Sequence, residues 1–326
     1  MNYSVRSEQW PVAGIFRISR RSATATDVVV VEIERDGFIG RGECGPNVRY
    51  GESAASVSAQ LESVRGAVLA GIGRHEAQTL LPHGAARNAL DCALWDLEAR
   101  TTGTPAWQLA GRREPRPLVT AYTLSIDTPE KVLEAAEAVA DRPLLKIKLA
   151  GDEHDLTRIR AVSAAAQGAR LIVDANEALT IESLAFLAPR FAVLRVDLIE
   201  QPLPAGQDEA LRGFDSPVPL CADESLHDRA SLDDLVGKYQ AVNIKLDKAG
   251  GLTEALATAD AARERGLKLM VGCMLGTSLA MAPAALVAQD ASWIDLDGPL
   301  LLARDREHGI RYERGVMHPA DRALWG

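Results

Sequence analysis

A parallel (β/α) barrel following a smaller α+β domain is the fold class this sequence predicts, on two observations. From Leu118 onward, short apolar runs alternate with alanine-rich stretches at a step of 22 to 27 residues, measured between Thr123, Lys148, Asp174, Glu200, Asp223, Lys245, Gly272 and Asp295 near the run ends. Eight β-helix-β units of that size close on themselves rather than form an open sheet. The first third of the chain lacks this rhythm, and 326 residues exceed what a single hydrophobic core usually spans.

In chain order, Val28 to Ile33 reads as a strand, followed by a turn at Asp36-Gly37 and a polar loop after Gly40-Arg41-Gly42-Glu43. The segment Ala85 to Arg100 sets Leu90, Leu94 and Leu97 on one helical face with Ala86, Ala89 and Ala93, and stops before Gly103 and Pro105. Gly111 to Pro117, rich in proline and charge, is the expected domain boundary. Strands are then expected at Val119–Ile126, Leu144–Leu149, Arg170–Val173, Val196–Ile199, Val218–Ala222, Ala241–Leu246, Leu267–Val271 and Ser292–Leu296, each followed by a helical stretch.

Composition narrows the function. With 47% hydrophobic and 25% charged residues the chain is globular. A formal net charge of −9 argues against nucleic acid or anionic lipid as partner, since such binding needs clustered lysine and arginine. No run approaches a membrane span and the N-terminus lacks a signal pattern, so a cytoplasmic location is expected. Cys44, Cys92, Cys221 and Cys273 are too far apart for a CxxC pair, and the six histidines form no HxH or HExxH arrangement. They read as reduced core thiols and as surface or capping imidazoles.

The chemistry gathers at the carboxyl ends of the predicted strands, where a barrel builds its site. Charges there are costly to bury unless they pair with one another or bind metal. Asp174, Glu200 and Asp223 close three successive runs, and oxygen-only ligands suit a hard cation, Mg²⁺ by default. Asn176 can orient one of them. Lys146 and Lys148 lie two apart on one strand and share a face, while Lys245 enters from the sixth strand, across the ring from Lys148. Crowding beside a metal is expected to lower lysine pKa values, which makes a base near neutral pH. Asp295 and Asp297 form an acidic pair at the last strand end that an ammonium group on a substrate would satisfy.

The ordered motifs LKIKL, VDAN, IEQPLP, CADES and VNIKLDKAGGLTEAL resemble the muconate-lactonizing subgroup of the enolase superfamily over almost the whole chain. Enolase-superfamily sites are a known instance of a Lys or His base working beside Mg²⁺. RYGES, AARNALDCALWDL, GCMLGTS and DLDGP are most similar to the dipeptide epimerases acting on L-Ala-D/L-Glu in bacterial murein peptide recycling. The resemblance implies a modified (β/α)7β TIM barrel over residues 114–298, an α+β capping domain over 1–113, and a C-terminal segment, 299–326, completing the cap. It implies Lys148 and Lys245 as the acid/base pair, Lys146 at the substrate carboxylate, and Asp174, Glu200 and Asp223 as ligands of one Mg²⁺ per subunit. Thr123 and Cys273 would line the substrate, Asp295 and Asp297 bind the dipeptide ammonium, and Arg20 or Arg21 take the glutamate side-chain carboxylate. A homo-oligomer is the expected assembly.

The implied reaction is a 1,1-proton transfer at the glutamate α-carbon through an enediolate. One lysine removes the proton and the other returns it to the opposite face. Two other readings stand beside it. An o-succinylbenzoate synthase or muconate cycloisomerase-like lyase would share metal and lysines, but its substrate has no ammonium for Asp295 and Asp297. A non-catalytic binding module would leave every acid, base and ligand position filled without use. Dipeptide specificity is expected to rest on the loops near Arg20 and Tyr50.

Overall fold

The computed structural model describes residues 1–326. Its N-terminal part is built on three antiparallel strands, β1 (Asn2–Ile18), β2 (Arg21–Arg35) and β3 (Phe38–Cys44). The valine run of β2 is buried on both faces. Val28 and Val30 join the core shared with the barrel, while Val29, Val31 and Ile33 join a separate core beneath the N-terminal helices.

The long helix spans Ala85–Thr102 and ends at Gly103, whose φ of 71° supplies the left-handed cap. The six Leu and Ala positions expected on one face all lie in the N-terminal core. The other face is buried too: Trp95 Nε1 donates to Thr253 Oγ1 at 2.9 Å, and Asp91 accepts from Thr253 N at 2.9 Å. Close approach of this helix to β3 requires Gly40 and Gly42. A Cβ at Gly42 would lie 2.7 Å from the Ala93 nitrogen, with the Ala89 carbonyl nearer still.

The barrel follows. Its eight parallel strands are β5 (Tyr122–Leu124), β6 (Leu144–Lys148), β7 (Arg170–Asp174), β8 (Val196–Glu200), β9 (Leu220–Ala222), β10 (Ala241–Ile244), β11 (Lys268–Gly272) and β12 (Trp293–Asp295), hydrogen-bonded in that order. The seam between first and last is bridged by Ala121 N donating to Ile294 O at 2.8 Å and by Leu296 N donating to Thr120 Oγ1 at 2.9 Å. The floor is one apolar layer of eight side chains, one per strand position: Ala121, Leu144, Ile172, Leu198, Cys221, Ala241, Met270 and Trp293.

Two expectations are corrected. The run expected as one strand, Val119–Ile126, is split, because β4 (Leu118–Val119) pairs antiparallel with β14 (Val316–Met317), itself paired with β13 (Tyr312–Glu313). Nor does a helical stretch follow every strand. Between β8 and β9 there is only a 3₁₀ turn, Glu209–Leu211, since Pro202, Pro204, Gly206, Gly213, Pro217 and Pro219 punctuate that segment.

Beyond the barrel, the C-terminal residues contact both parts of the chain. Trp325 Nε1 donates to Cys92 O at 3.1 Å, Gly326 N to Asp96 Oδ1 at 2.8 Å, and Arg306 pairs with Glu8 at 2.6 Å and Glu43 at 2.7 Å. All four cysteines are free thiols. No helix is long and apolar enough to cross a membrane.

Because backbone atoms of the long helix crowd Gly42, Gly42→Ala is expected to destabilise the protein by about 3 kcal/mol through overpacking. Urea unfolding measures it, and a loss below about 0.5 kcal/mol, the range of ordinary surface substitutions, would contradict the packing account.

Candidate active site

Side chains two residues apart on a strand share a face, so the position two beyond each floor residue also points into the barrel. Those positions are Thr123, Lys146, Asp174, Glu200, Asp223, Asn243, Gly272 and Asp295, with Lys148, Lys245 and Asp297 two further on at the mouth. Thus a single register places the whole set over an apolar floor. Every member except Gly272 is recorded as a buried polar or charged side chain.

Ion pairing is dense. Lys146 Nζ lies 3.0 Å from Asp174 Oδ2, 2.7 Å from Glu200 Oε2 and 2.6 Å from Asp295 Oδ2. Lys148 Nζ donates to Asp174 Oδ2 at 2.6 Å, and Lys245 Nζ to Asp223 Oδ2 at 2.7 Å. Lys245 stands just past β10, four strands from the Lys148 strand in an eight-stranded ring, so the two ammonium groups enter from opposite sides.

Burial opposes charge on Lys146 and Lys245, but their carboxylate neighbours outweigh it and hold both well above the ordinary lysine value. At these two lysines ion pairing wins over desolvation. Burial likewise opposes ionising Asp174, yet Lys146 and Lys148 hold it below the usual carboxylate range. Glu200 is raised by burial and by Asp174.

The oxygens left over bear on a metal. Glu200 Oε2, Asn176 Oδ1, Glu224 Oε2 and Asp295 Oδ1 are buried acceptors without a hydrogen-bond partner. For Glu200 Oε2 the ammonium of Lys146 is close but not aligned as a donor. As the side chains stand, no three carboxylates converge on one point. Asp174 and Glu200 meet instead at Lys146, and Asp223 at Lys245 and Lys248. An all-oxygen donor set with acceptors in surplus fits a hard cation, provided the ammonium groups yield these oxygens to it.

At the eighth strand, Asp297 Oδ2 accepts from Thr123 N at 2.7 Å. Burial, reinforced by Asp295, pushes Asp297 up to about 7. A cation placed here would relieve both carboxylates. Thr123, Cys273, Asp295 and Asp297 line a cavity of about 380 Å³ together with Lys146, Lys148 and Lys245, closed from above by Arg20, Arg21 and the loop Asn47–Tyr50. Arg20 is engaged, pairing with Glu224 at 2.7 Å and with Glu177, whereas Arg21 forms no ion pair.

Asn176 orients Asp174, but through its backbone: its N donates to Asp174 Oδ1 at 2.9 Å, while its side chain reaches Glu224 Oε1 at 3.3 Å. Three residues of the site escaped the sequence reading. Asn243 donates to Glu200 Oε1 at 2.7 Å, Lys248 to Asp223 Oδ1 at 2.6 Å, and Glu224 holds Arg20. Two of them left a signal: Asn243 stands two before Lys245 on the same face, and Glu224 directly follows Asp223.

Comparison with known proteins gives one consistent picture. Residues 1–111 match the mandelate racemase / muconate lactonizing enzyme N-terminal domain, and residues 131–323 the enolase C-terminal domain-like family. The chain is 48% identical to an L-Ala-D/L-Glu epimerase of Escherichia coli K12, over 96% of this chain and 98% of that one. It is 45% identical to an N-acetyl-D-glutamate racemase of a Pseudoalteromonas species, over 92% and 95%. A solved enolase family member from Agrobacterium tumefaciens, with homology to dipeptide epimerases and with sodium and L-Ala-L-Glu bound, superposes with a TM-score of 0.97 at 49% identity over 99% of each chain. A dipeptide epimerase from Methylococcus capsulatus, complexed with Mg and L-Arg-D-Lys, gives 0.91 at 34% identity over 99% and 98%.

Since one ammonium contacts three buried carboxylates, Lys146→Met in chelator is expected to cost about 3 kcal/mol of unfolding free energy, the loss typical of breaking a buried ion pair. Equilibrium denaturation measures this, and unchanged stability would show that the carboxylates do not depend on Lys146.

Proposed function

The chain belongs to the enolase superfamily, with the N- and C-terminal domains of the mandelate racemase / muconate lactonizing enzymes, and we propose that this isomerase epimerises L-Ala-D/L-Glu dipeptides in murein peptide recycling. The observation that carries the reading is the opposition of Lys148 and Lys245 across a barrel whose eighth strand offers a carboxylate pair.

In this reading Asp174, Glu200 and Asp223 hold one Mg²⁺, which when bound supplies Lewis-acid stabilisation of the charge developing on the substrate carboxylate. Lys148 and Lys245 flank the glutamate α-carbon. One takes the α-proton and the other delivers a proton to the opposite face, which inverts the centre. Lys146 lies beside the same carboxylate and adds positive charge where negative charge develops. Asp295 and Asp297 take the dipeptide ammonium. The distal carboxylate falls to Arg21 rather than Arg20, because Arg20 is already spoken for by Glu177 and Glu224.

A second reading has support in the 45% identity to an N-acetyl-D-glutamate racemase. Its substrate shares the glutamyl part but brings no ammonium. The buried Asp295 and Asp297 would then face a neutral acetyl group at a desolvation cost, which favours the dipeptide.

Proton NMR in D₂O with Mg²⁺ tests both. L-Ala-L-Glu is expected to lose its glutamate α-proton signal as the L,D diastereomer appears, and faster conversion of N-acetyl-L-glutamate would move the assignment to the second reading. Lys148→Ala and Lys245→Ala should each lower epimerisation by at least about 10²-fold, the usual contribution of a positioned acid or base. Each variant should still exchange the α-proton of the one diastereomer that faces its remaining lysine. Full epimerisation by either variant would remove the two-lysine mechanism.

Metal dependence gives an independent check. EDTA should abolish turnover and added Mg²⁺ restore it, while Glu200→Gln should weaken divalent-ion binding, read by calorimetry, by at least about tenfold, a loss of about 1.4 kcal/mol. Unchanged affinity would exclude Glu200 as a ligand.

A further inference from the structure

Two successive non-glycine residues just after β7 adopt left-handed backbone, Asn176 with φ 43° and Glu177 with φ 71°. Such conformations cost of order 1–3 kcal/mol each and persist only where their surroundings over-determine them. The surroundings of Glu177 are two arginines from separate segments of the N-terminal part. Arg49 grips it in bidentate fashion, Nε to Oε2 at 2.9 Å and Nη2 to Oε1 at 2.8 Å, and Arg20 Nη1 donates to Oε2. Ala205 N adds a further bond to Oε1 at 2.8 Å. The side chain of Glu177 is only 9% exposed.

The two arginines are not redundant. Arg20 sits in the β1–β2 turn and Arg49 in the loop after β3, and these two segments form the roof of the cavity. Arg20 also donates to Asn176 O at 2.8 Å and to Glu224 Oε1 at 2.7 Å, so every hydrogen bond it makes goes to the barrel rim. Arg21, next in the chain, lines the cavity without an ion pair. Glu177 and Glu224 together thus balance two of the roof cations, Arg20 and Arg49, and leave a third for a ligand.

We propose that Glu177 is a positioning residue for specificity: it clasps the two roof segments onto the barrel, engages Arg20 and Arg49 with Glu224 completing the charge balance, and so leaves Arg21 as the group that selects an anionic distal side chain. The specificity half of this proposal rests on the dipeptide reading above, whereas the clasp itself does not. Glu177 touches no reacting atom.

The test uses the Mg²⁺-loaded full chain and two independent readouts. Hydrogen exchange followed by mass spectrometry should show amides of residues 12–25 and 45–51 exchanging about tenfold or more faster in Glu177→Gln than in wild type, the equivalent of about 1.4 kcal/mol of lost closure. Arg49→Gln, an exposed change that keeps Glu177, should loosen the same segments should Glu177→Gln fail to fold. In parallel, the ratio of kcat/KM for L-Ala-L-Glu over its uncharged isostere L-Ala-L-Gln should fall by about tenfold or more in Glu177→Gln, mainly through KM. Arg21→Ala should collapse that ratio while leaving exchange unchanged. Equal exchange in variant and wild type overturns the clasp whatever the substrate proves to be. Faster exchange with an unchanged ratio overturns the specificity role, and a wild type inactive on both dipeptides overturns the dipeptide reading and the specificity role together, with the clasp still decided by exchange.

Discussion

Charge neutralisation inside the barrel is the constraint on which the rest of the molecule depends. Asp174, Glu200, Asp223 and Asp295 are all nearly inaccessible to water, and each would be prohibitively costly alone. They coexist because Lys146, Lys148, Lys245 and Lys248 are driven among them. Lys146, 1% exposed, is the hub, since it touches carboxylates from three different strands. A bound divalent ion would take over part of this neutralising role. Lys146 and Lys245 are the two held charged by their carboxylate neighbours against the cost of burial.

That arrangement in turn depends on strand register. The apolar floor from Ala121 round to Trp293 and the polar layer above it are separated by two residues on every strand, and a slip of one residue on β6, β7, β8, β9 or β12 would drive a charge into the helix-facing core. The floor is therefore more than filler. Packing of Leu144, Ile172 and Leu198 against their neighbours fixes where Lys146, Asp174 and Glu200 stand. Function is written two residues above stability, strand by strand.

This is also why so much was legible in the sequence. Apolar runs ending in Lys, Asp or Glu at a step of 22 to 27 residues announce both the parallel barrel and its polar rim, because strand period and barrel closure are local and periodic. What stayed hidden depends on contacts between distant segments. Nothing local distinguishes Arg20 from Arg21; only the positions of Glu177 and Glu224, more than 150 residues away, show which guanidinium is occupied. Lys248 likewise reads as an ordinary helix residue until its ammonium is found on Asp223. The split of the first strand at Thr120 was hidden for the same reason, since it is set by pairing with residues near the C-terminus.

The division of labour between barrel and roof follows from these two kinds of information. Proton transfer needs opposed groups held rigidly, and parallel strands joined by hydrogen bonds hold Lys148 and Lys245 with little freedom. Recognition of the part of a substrate that does not react needs adaptable contacts, and in the proposed reading those would come from the β1–β2 turn and the loop Asn47–Tyr50, which line the cavity. A relative acting on a different distal side chain would need to change only the roof and its clasp, with the strand ends left as they are. Two likenesses of this chain, to an L-Ala-D/L-Glu epimerase and to an N-acetyl-D-glutamate racemase, fit such a division, because both names refer to a glutamate and differ in what is attached to its nitrogen. In the proposed reading that nitrogen substituent would face Asp295 and Asp297, which line the cavity, so the charge the eighth strand accepts in its ligand would separate the two chemistries.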